Sequence, residues 1–382
     1  MSQAPLVSVV LNTYNRADLL PQSVESVLAQ DYPNFELIIV DDCSQDNTPE
    51  VVAATVADAG DRVRRVRLPE NRGLAAARNV GIRMARGSLV ALQDDDDIWL
   101  PGKLSTQVDA LNRRPECALV YGKAVSGTAD GRPTDRVYGG SGRGRTGDNF
   151  EVMLRHHPIL GPATVVRKSV LEEVGLFDET LRTAEDTDLF LRLTMRHPAA
   201  YVDRPVVIVR EHEDRKTQGE SQSATMSRCC LQAYCRLWNT LPPERQALRG
   251  LVAGWLVISE LAIVERESQA SLGRQGLMDV IEAHPEWFDY SEGLWHVADR
   301  LVAKGPSSAR DVMWMAAQLR DRASDKRQGR RRAAMFLNAA ARRGIRRGMP
   351  HQAVVCAARA ALLMPRVVFD EILSRAQSRV QS

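Results

Sequence analysis

The chain has 382 residues, 44% of them hydrophobic and 26% charged, with a formal charge of +3. That composition supplies a sizeable core, excludes wholesale disorder and gives no reason for a nucleic-acid partner. The longest apolar run, residues 251–258, is far short of the roughly 18–20 residues of a membrane helix. The N-terminus has no signal-peptide pattern and the six cysteines form no C-x-x-C pair, so a cytoplasmic protein without disulfides or structural zinc is expected.

The first 120 residues alternate apolar runs with amphipathic segments. Residues 7–11 read as a buried strand, 12–16 as its turn, and 17–29 as a helix carrying Leu20, Val24, Val27 and Leu28 on one side. Residues 36–40 form a second strand ending in Asp41-Asp42, 63–68 a third, 73–85 an Ala-rich helix, and 89–92 a fourth strand running into Asp94-Asp95-Asp96-Asp97. This alternation predicts an α/β fold with a mostly parallel central sheet, and ligands in such sheets sit beyond the carboxyl ends of the strands. Residues 122–147 hold eight glycines and several arginines, and read as a long loop. A strand at 164–167, a helix at 168–174, a helix at 185–196 and a strand at 201–209 follow, and from about 221 the chain is helical. The expected domains are residues 1–220 (a first half to about 120, a second from 121) and an all-α region, 221–382. Residues 320–347 hold eleven Lys or Arg against two Asp or Glu. A solvated helical face explains that charge, and so does attraction to anionic headgroups or an anionic partner.

Four adjacent aspartates repel one another and cannot all be buried without compensation. An exposed acidic turn would satisfy that, but the run lies between a buried strand and Ile98-Trp99-Leu100, where a hard cation such as Mg²⁺ or Mn²⁺ is the better explanation. Asp41 or Asp42 can accept from a ribose hydroxyl or a base N–H, or serve as a turn aspartate. Arg78 suits a diphosphate, or a plain helix surface. Glu185-Asp186 opens a helix, where acids complement the macrodipole or supply a general base. His212 reads as a surface histidine or a third metal ligand.

Five segments together resemble family 2 glycosyltransferases. They are Val9-Val10-Leu11-Asn12-Thr13-Tyr14-Asn15-Arg16; Val40-Asp41-Asp42-Cys43-Ser44; Asn71-Arg72-Gly73 with Ala77-Arg78-Asn79; Gln93 to Trp99; and Gly175-Leu176-Phe177-Asp178-Glu179 with Glu185-Asp186-Thr187-Asp188-Leu189. The resemblance covers roughly residues 5–215. It implies a GT-A nucleotide-binding sandwich and inverting transfer of a sugar from a nucleotide diphosphate, with uracil the commonest base. The acceptor would be a hydroxyl of a glycan, lipid-linked or small-molecule substrate. Carried over, it places Thr13, Tyr14, Asn15, Arg16, Asp41, Asp42, Asn71, Arg78, Asp94 and Asp95 around the donor. It makes Asp96 and His212 metal ligands for Mn²⁺ or Mg²⁺, and Asp186 the base, with Phe177, Asp178 and Glu185 on the acceptor side.

A nucleotidylyltransferase would carry a Gly-rich turn after the first strand, and residues 12–16 contain no glycine. The alternative function is a catalytically degenerate domain that binds nucleotide sugars as a scaffold. Peripheral contact with the inner face of the membrane through residues 320–347, and self-association, are expectations left open.

Overall fold

The computed structural model describes residues 4–57, 59–138, 140–212, 220–267, 274–290, 294, 315–320 and 325–346. The chain divides into two compact units, Met1–Cys229 and Cys230–Ser382.

In the first unit β1 (Val7–Thr13), β2 (Phe35–Asp41), β3 (Val63–Arg67) and β4 (Leu89–Asp94) pair in parallel in the order β3-β2-β1-β4. Their connections include α1 (Leu20–Leu28), α2 (Thr48–Thr55) and α3 (Leu74–Met84). β1 and β2 are buried on both faces, which is why they read as unbroken apolar runs rather than alternating ones. Beyond β4 the sheet is mixed. β5 (Asp97–Trp99), α4 (Lys103–Arg113), β6 (Leu119–Gly127) and β7 (Pro133–Val137) come next in the chain. They are followed by α5 (Phe150–His156), β8 (Thr164–Arg167), α6 (Lys168–Val174), α7 (Glu185–Arg196) and β9 (Ala199–Arg210). The order continues β4-β8-β6-β9-β5, with β7 on β6. β6 and β9 are parallel; β8 joins β4 and β6 antiparallel, as β5 does β9 and β7 does β6. The core is built from β1, β2 and β4 with Val24 and Val27 of α1 and Leu104, Val108 and Leu111 of α4.

The expected long loop at 122–147 instead contains two stretches of strand. Residues 122–127 complete β6, β7 returns beside them, and a 3₁₀ turn follows at Ser141–Arg143. Glycine was misleading there because it serves close packing. A Cβ on Gly122 would lie 2.7 Å from Val206 methyls, and one on Gly127 would lie 2.3 Å from Ile208. Both residues oppose β9 within the sheet, where glycine marks a close approach of neighbours. The helices α4 and α5 and strand β5 also go beyond the elements expected from the sequence.

The described elements of the second unit are helical: α8 (Glu220–Thr240) continues into it, followed by α9 (Arg249–Glu267), α10 (Arg274–Ala283) and α11 (Lys326–Arg346). Val252, Ala253, Leu256, Val257 and Leu261 of α9 are buried. The segment Pro243–Ile263 is long and apolar enough to cross a membrane by length and composition alone, which corrects the expectation drawn from residues 251–258. An uninterrupted-run count misses it because Ser259 and Glu260 break the run without making the whole segment polar. Residues 321–324 and 347 of the basic region lie outside the described residues.

Candidate active site

The site forms where the carboxyl ends of β1, β2 and β4 come level. Register places Asn12 beside both Val40 and Asp94, and the Asp42 N–H donates to the Thr13 carbonyl at 2.9 Å. A cleft of about 640 Å³ opens there, within the range of small-molecule sites. The acidic run is a turn between two strands. Asp94 ends β4, Asp95 and Asp96 make the turn, and Asp97 begins β5. Asp94, Asp96 and Asp97 each bring a carboxylate oxygen within 4.8 Å of the others, and His212 Nε2 lies 3.1 Å from Asp96 Oδ2.

Two buried arginines make this crowding possible. Arg210, at the end of β9, is 1% exposed and lies beneath the turn. Its Nε donates to the Asp96 carbonyl, and one terminal nitrogen reaches the carbonyls of Leu19 at 2.8 Å and Asp95 at 3.3 Å. The other donates to Gln22 Oε1 at 2.8 Å. Arg78, on α3 and 3% exposed, spans the cleft wall. One terminal nitrogen donates to Asp94 Oδ1 at 2.6 Å and the other to Glu185 Oε1 at 2.8 Å. The guanidinium stacks 5.2 Å from the Phe177 ring centroid. Asn79, one position on, exchanges hydrogen bonds with the Phe177 backbone and so ties the loop before α7 to α3.

Charge in the cleft remains acidic. Burial, reinforced by the neighbouring Asp96, pushes the Asp95 carboxyl up to about 7. Burial pushes Glu185 up to about 7 against the opposing pull of Arg78, with Asp186 adding repulsion. Asp186 is raised as well, first by burial. Such a surplus of hard oxygen donors beside an imidazole fits a divalent cation of the Mg²⁺ or Mn²⁺ type. Asp94, Asp96, Asp97 and His212 are the residues able to hold it.

Most residues singled out from the sequence meet in this cleft. Thr13, Tyr14, Arg16, Asp42, Arg78 and Asp94 to Asp96 line it, together with Glu185 and Asp186 from the start of α7. Asp42 spends both oxygens on the backbone N–H groups of Arg72 and Gly73, each at 2.8 Å, and thus shapes the entry to α3. Six of the singled-out residues are not brought to the lining, His212 among them, which instead sits against Asp96. Asn15 accepts from the Gln45 N–H at 2.7 Å and joins two loops. Asp41 accepts from the Ser44 N–H at 2.8 Å beneath the surface. Asn71 is exposed outside the cleft. Phe177 is buried under Arg78, and Asp178 accepts from the Thr180 N–H and hydroxyl within its own turn. Asn12, Tyr138, Arg182 and Met226 line the cleft without having been singled out for it, and Asp97 and Arg210 complete the acidic turn. Asp97 lay in view within the acidic run, whereas burial of Arg210 has no local sequence signal.

Residues 8–175 match the family model described as Glycosyl transferase family 2, and the chain carries a domain of that family. TuaG of Bacillus subtilis strain 168, provisionally named a teichuronic acid biosynthesis glycosyltransferase, is 39% identical over 132 residues. That alignment covers 35% of this chain and 52% of TuaG, so the chain spans about half of that relative's length. S. aureus TarS 1–349, solved in complex with UDP-GlcNAc, superposes with a TM-score of 0.53 at 18% identity, covering 90% of this chain and 92% of TarS 1–349. The mannosyltransferase PcManGT from Pyrobaculum calidifontis, solved with GDP-Man and Mn²⁺, gives a TM-score of 0.50 at 22% identity, covering 74% and 81%. At these identities the two structures establish the shared GT-A fold.

Proposed function

We propose that this family 2 domain transfers a sugar from a nucleotide-diphosphate donor, of which a UDP-sugar is the first choice, to a hydroxyl acceptor with inversion. The observation that carries the reading is the convergence, in one cleft, of Asp94, Asp96 and Asp97 with Asp186, and the contact of His212 with Asp96. The nucleotide sugars in the TarS and PcManGT complexes support a donor of this class.

A divalent cation bound by Asp96 and its neighbours would neutralise the leaving diphosphate. Thr13 and Tyr14 at the end of β1 line the cleft and would hold the nucleoside, and Arg16 brings a cation to the lining. Asp186 takes the proton of the acceptor hydroxyl as that oxygen attacks from the face opposite the diphosphate. A single displacement of this kind inverts the anomeric centre, as it does when a carboxylate activates the nucleophile in inverting glycosidases. Its raised pKa brings Asp186 nearer to the working range of a general base. Glu185 is held by Arg78, which leaves Asp186 as the proton acceptor.

The test is a thermal-shift screen with UDP, GDP, TDP and CMP, each with and without Mn²⁺, followed by transfer assays. A ligand that binds only the native state raises its apparent stability. A metal-dependent shift with one nucleotide is expected. Asp186→Asn should retain that shift and lose transfer by about 10²-fold or more. Nucleotide binding with no turnover in the wild type would favour the scaffold alternative, and near-normal transfer by Asp186→Asn would refute the base assignment.

A further inference from the structure

Helix α11 changes environment abruptly along its length. Lys326, Arg327, Arg330 and Arg331 are exposed in its first two turns. From Arg332 onward the described side chains are buried, including Met335, Phe336 and Leu337. The base of the exposed end is fixed, because Arg332 Nε and Gln328 Nε2 both donate to Asp289 Oδ1, at 2.8 and 2.9 Å. A rigid stub therefore carries four cations out of the second unit. None of the four has a carboxylate partner among the described residues. The nearest acid, Asp325, accepts from the backbone N–H groups of Arg327 and Gln328 at 2.9 and 3.3 Å and so caps the helix.

Within the helix this arrangement is unfavourable. Lys326 with Arg330, and Arg327 with Arg331, are like-charge pairs four residues apart, which destabilise a helix. The helix N-terminus adds its own partial positive charge. Among the described residues only the Asp325 cap opposes this charge, and no carboxylate pairs with the four side chains, which leaves them free to meet an external anion. Among the described residues no exposed aromatic side chain accompanies the four cations, which removes the stacking surface that single-stranded nucleic acid uses. Closely spaced cations at the tip of a fixed helix do match a dense, flat array of anionic headgroups.

We propose that the exposed basic end of α11 docks the protein on an anionic lipid surface. The interaction is electrostatic and is screened by salt, because the cations remain at the headgroup level and no apolar side chain accompanies them. It is independent of the catalytic reading.

The experiment is co-sedimentation of the full chain with vesicles of mixed phosphatidylglycerol and phosphatidylcholine, or of phosphatidylcholine alone, at about 0.1 M salt. Binding to the anionic vesicles alone is expected, together with loss on raising the salt. The variant Lys326→Gln, Arg327→Gln, Arg330→Gln, Arg331→Gln should bind at least about tenfold more weakly. A control that removes the same charge from exposed sites of the first unit (Arg65, Arg113, Arg114 and Arg132 to Gln) should bind as the wild type does. These side chains are all exposed, so both variants should fold, and circular dichroism would verify it. Equal binding by the α11 variant, equal loss in the control, or no binding by the wild type would each overturn the proposal.

Discussion

Replacing Arg78 by Met tests the electrostatics of the site most directly. The substitution keeps much of the side-chain volume and removes the cation that pairs with both Asp94 and Glu185. Removing one partner of a buried ion pair costs about 3–5 kcal/mol, because the remaining charge is left desolvated. For a unit of this size that corresponds to a drop in melting temperature of roughly 6–20 °C. The loss should depend on pH in a defined sense. Glu185 already has a folded pKa of about 7, above its ordinary 4.5. Between those values the native state binds more protons than the unfolded chain, so the Glu185 contribution is fully favourable below 4.5 and is lost as pH rises through 7. Without Arg78 the folded pKa of Glu185 rises further. The stability gap between wild type and variant should therefore widen from pH 5 to pH 8. Urea melts of both proteins at intervals across that range measure it. Arg78→Lys should fall between the two, since one ammonium retains the charge but cannot fork to two carboxylates. A constant gap across the range, or a loss below about 1 kcal/mol at pH 8, would refute the account of Arg78 as the shared counter-ion.

Three further outcomes follow from other contacts. Gly81→Ala should destabilise despite the better helix propensity of alanine, by about 1–3 kcal/mol in denaturant melts, because the new Cβ would lie 2.3 Å from Val10 Cγ1 on β1. Asp96→Ala should weaken Mn²⁺ binding in the presence of nucleotide diphosphate by at least about tenfold, read by electron paramagnetic resonance of free Mn²⁺, and unchanged affinity would remove Asp96 from the ligand set. Burial pushes the Glu36 carboxyl up, but hydrogen bonds accepted from the Ser8 hydroxyl, the Arg86 N–H and Arg64 together outweigh it and hold its pKa below the usual value. Its contribution is present above the unfolded value of 4.5 and is lost as pH falls through the lower folded value, so Glu36→Gln should cost about 1.5–3 kcal/mol at pH 7 and little near pH 3.

Local chemistry determined much of this molecule. The unbroken apolar runs of β1 and β2 and the strand–helix alternation specify buried parallel strands, and Gly175 ends α6 in a left-handed conformation where the sequence places the stop. Placing Asp94 to Asp97 directly after a core strand already called for compensating positive charge, because four adjacent carboxylates repel one another. The pairing of the turn with its counter-charges was decided elsewhere. Arg210 is 114 residues from Asp96, and Arg78 meets Glu185 across 107 residues. No window along the chain contains those distances. Tertiary packing likewise turned the glycines at 122 and 127 from apparent loop formers into contact points against β9, and put Asp41 and Phe177 beneath the cleft rather than on it. Which polar groups face a ligand and which are consumed by the protein's own backbone depends on how the strand ends and helix termini converge, and only the folded chain fixes that convergence.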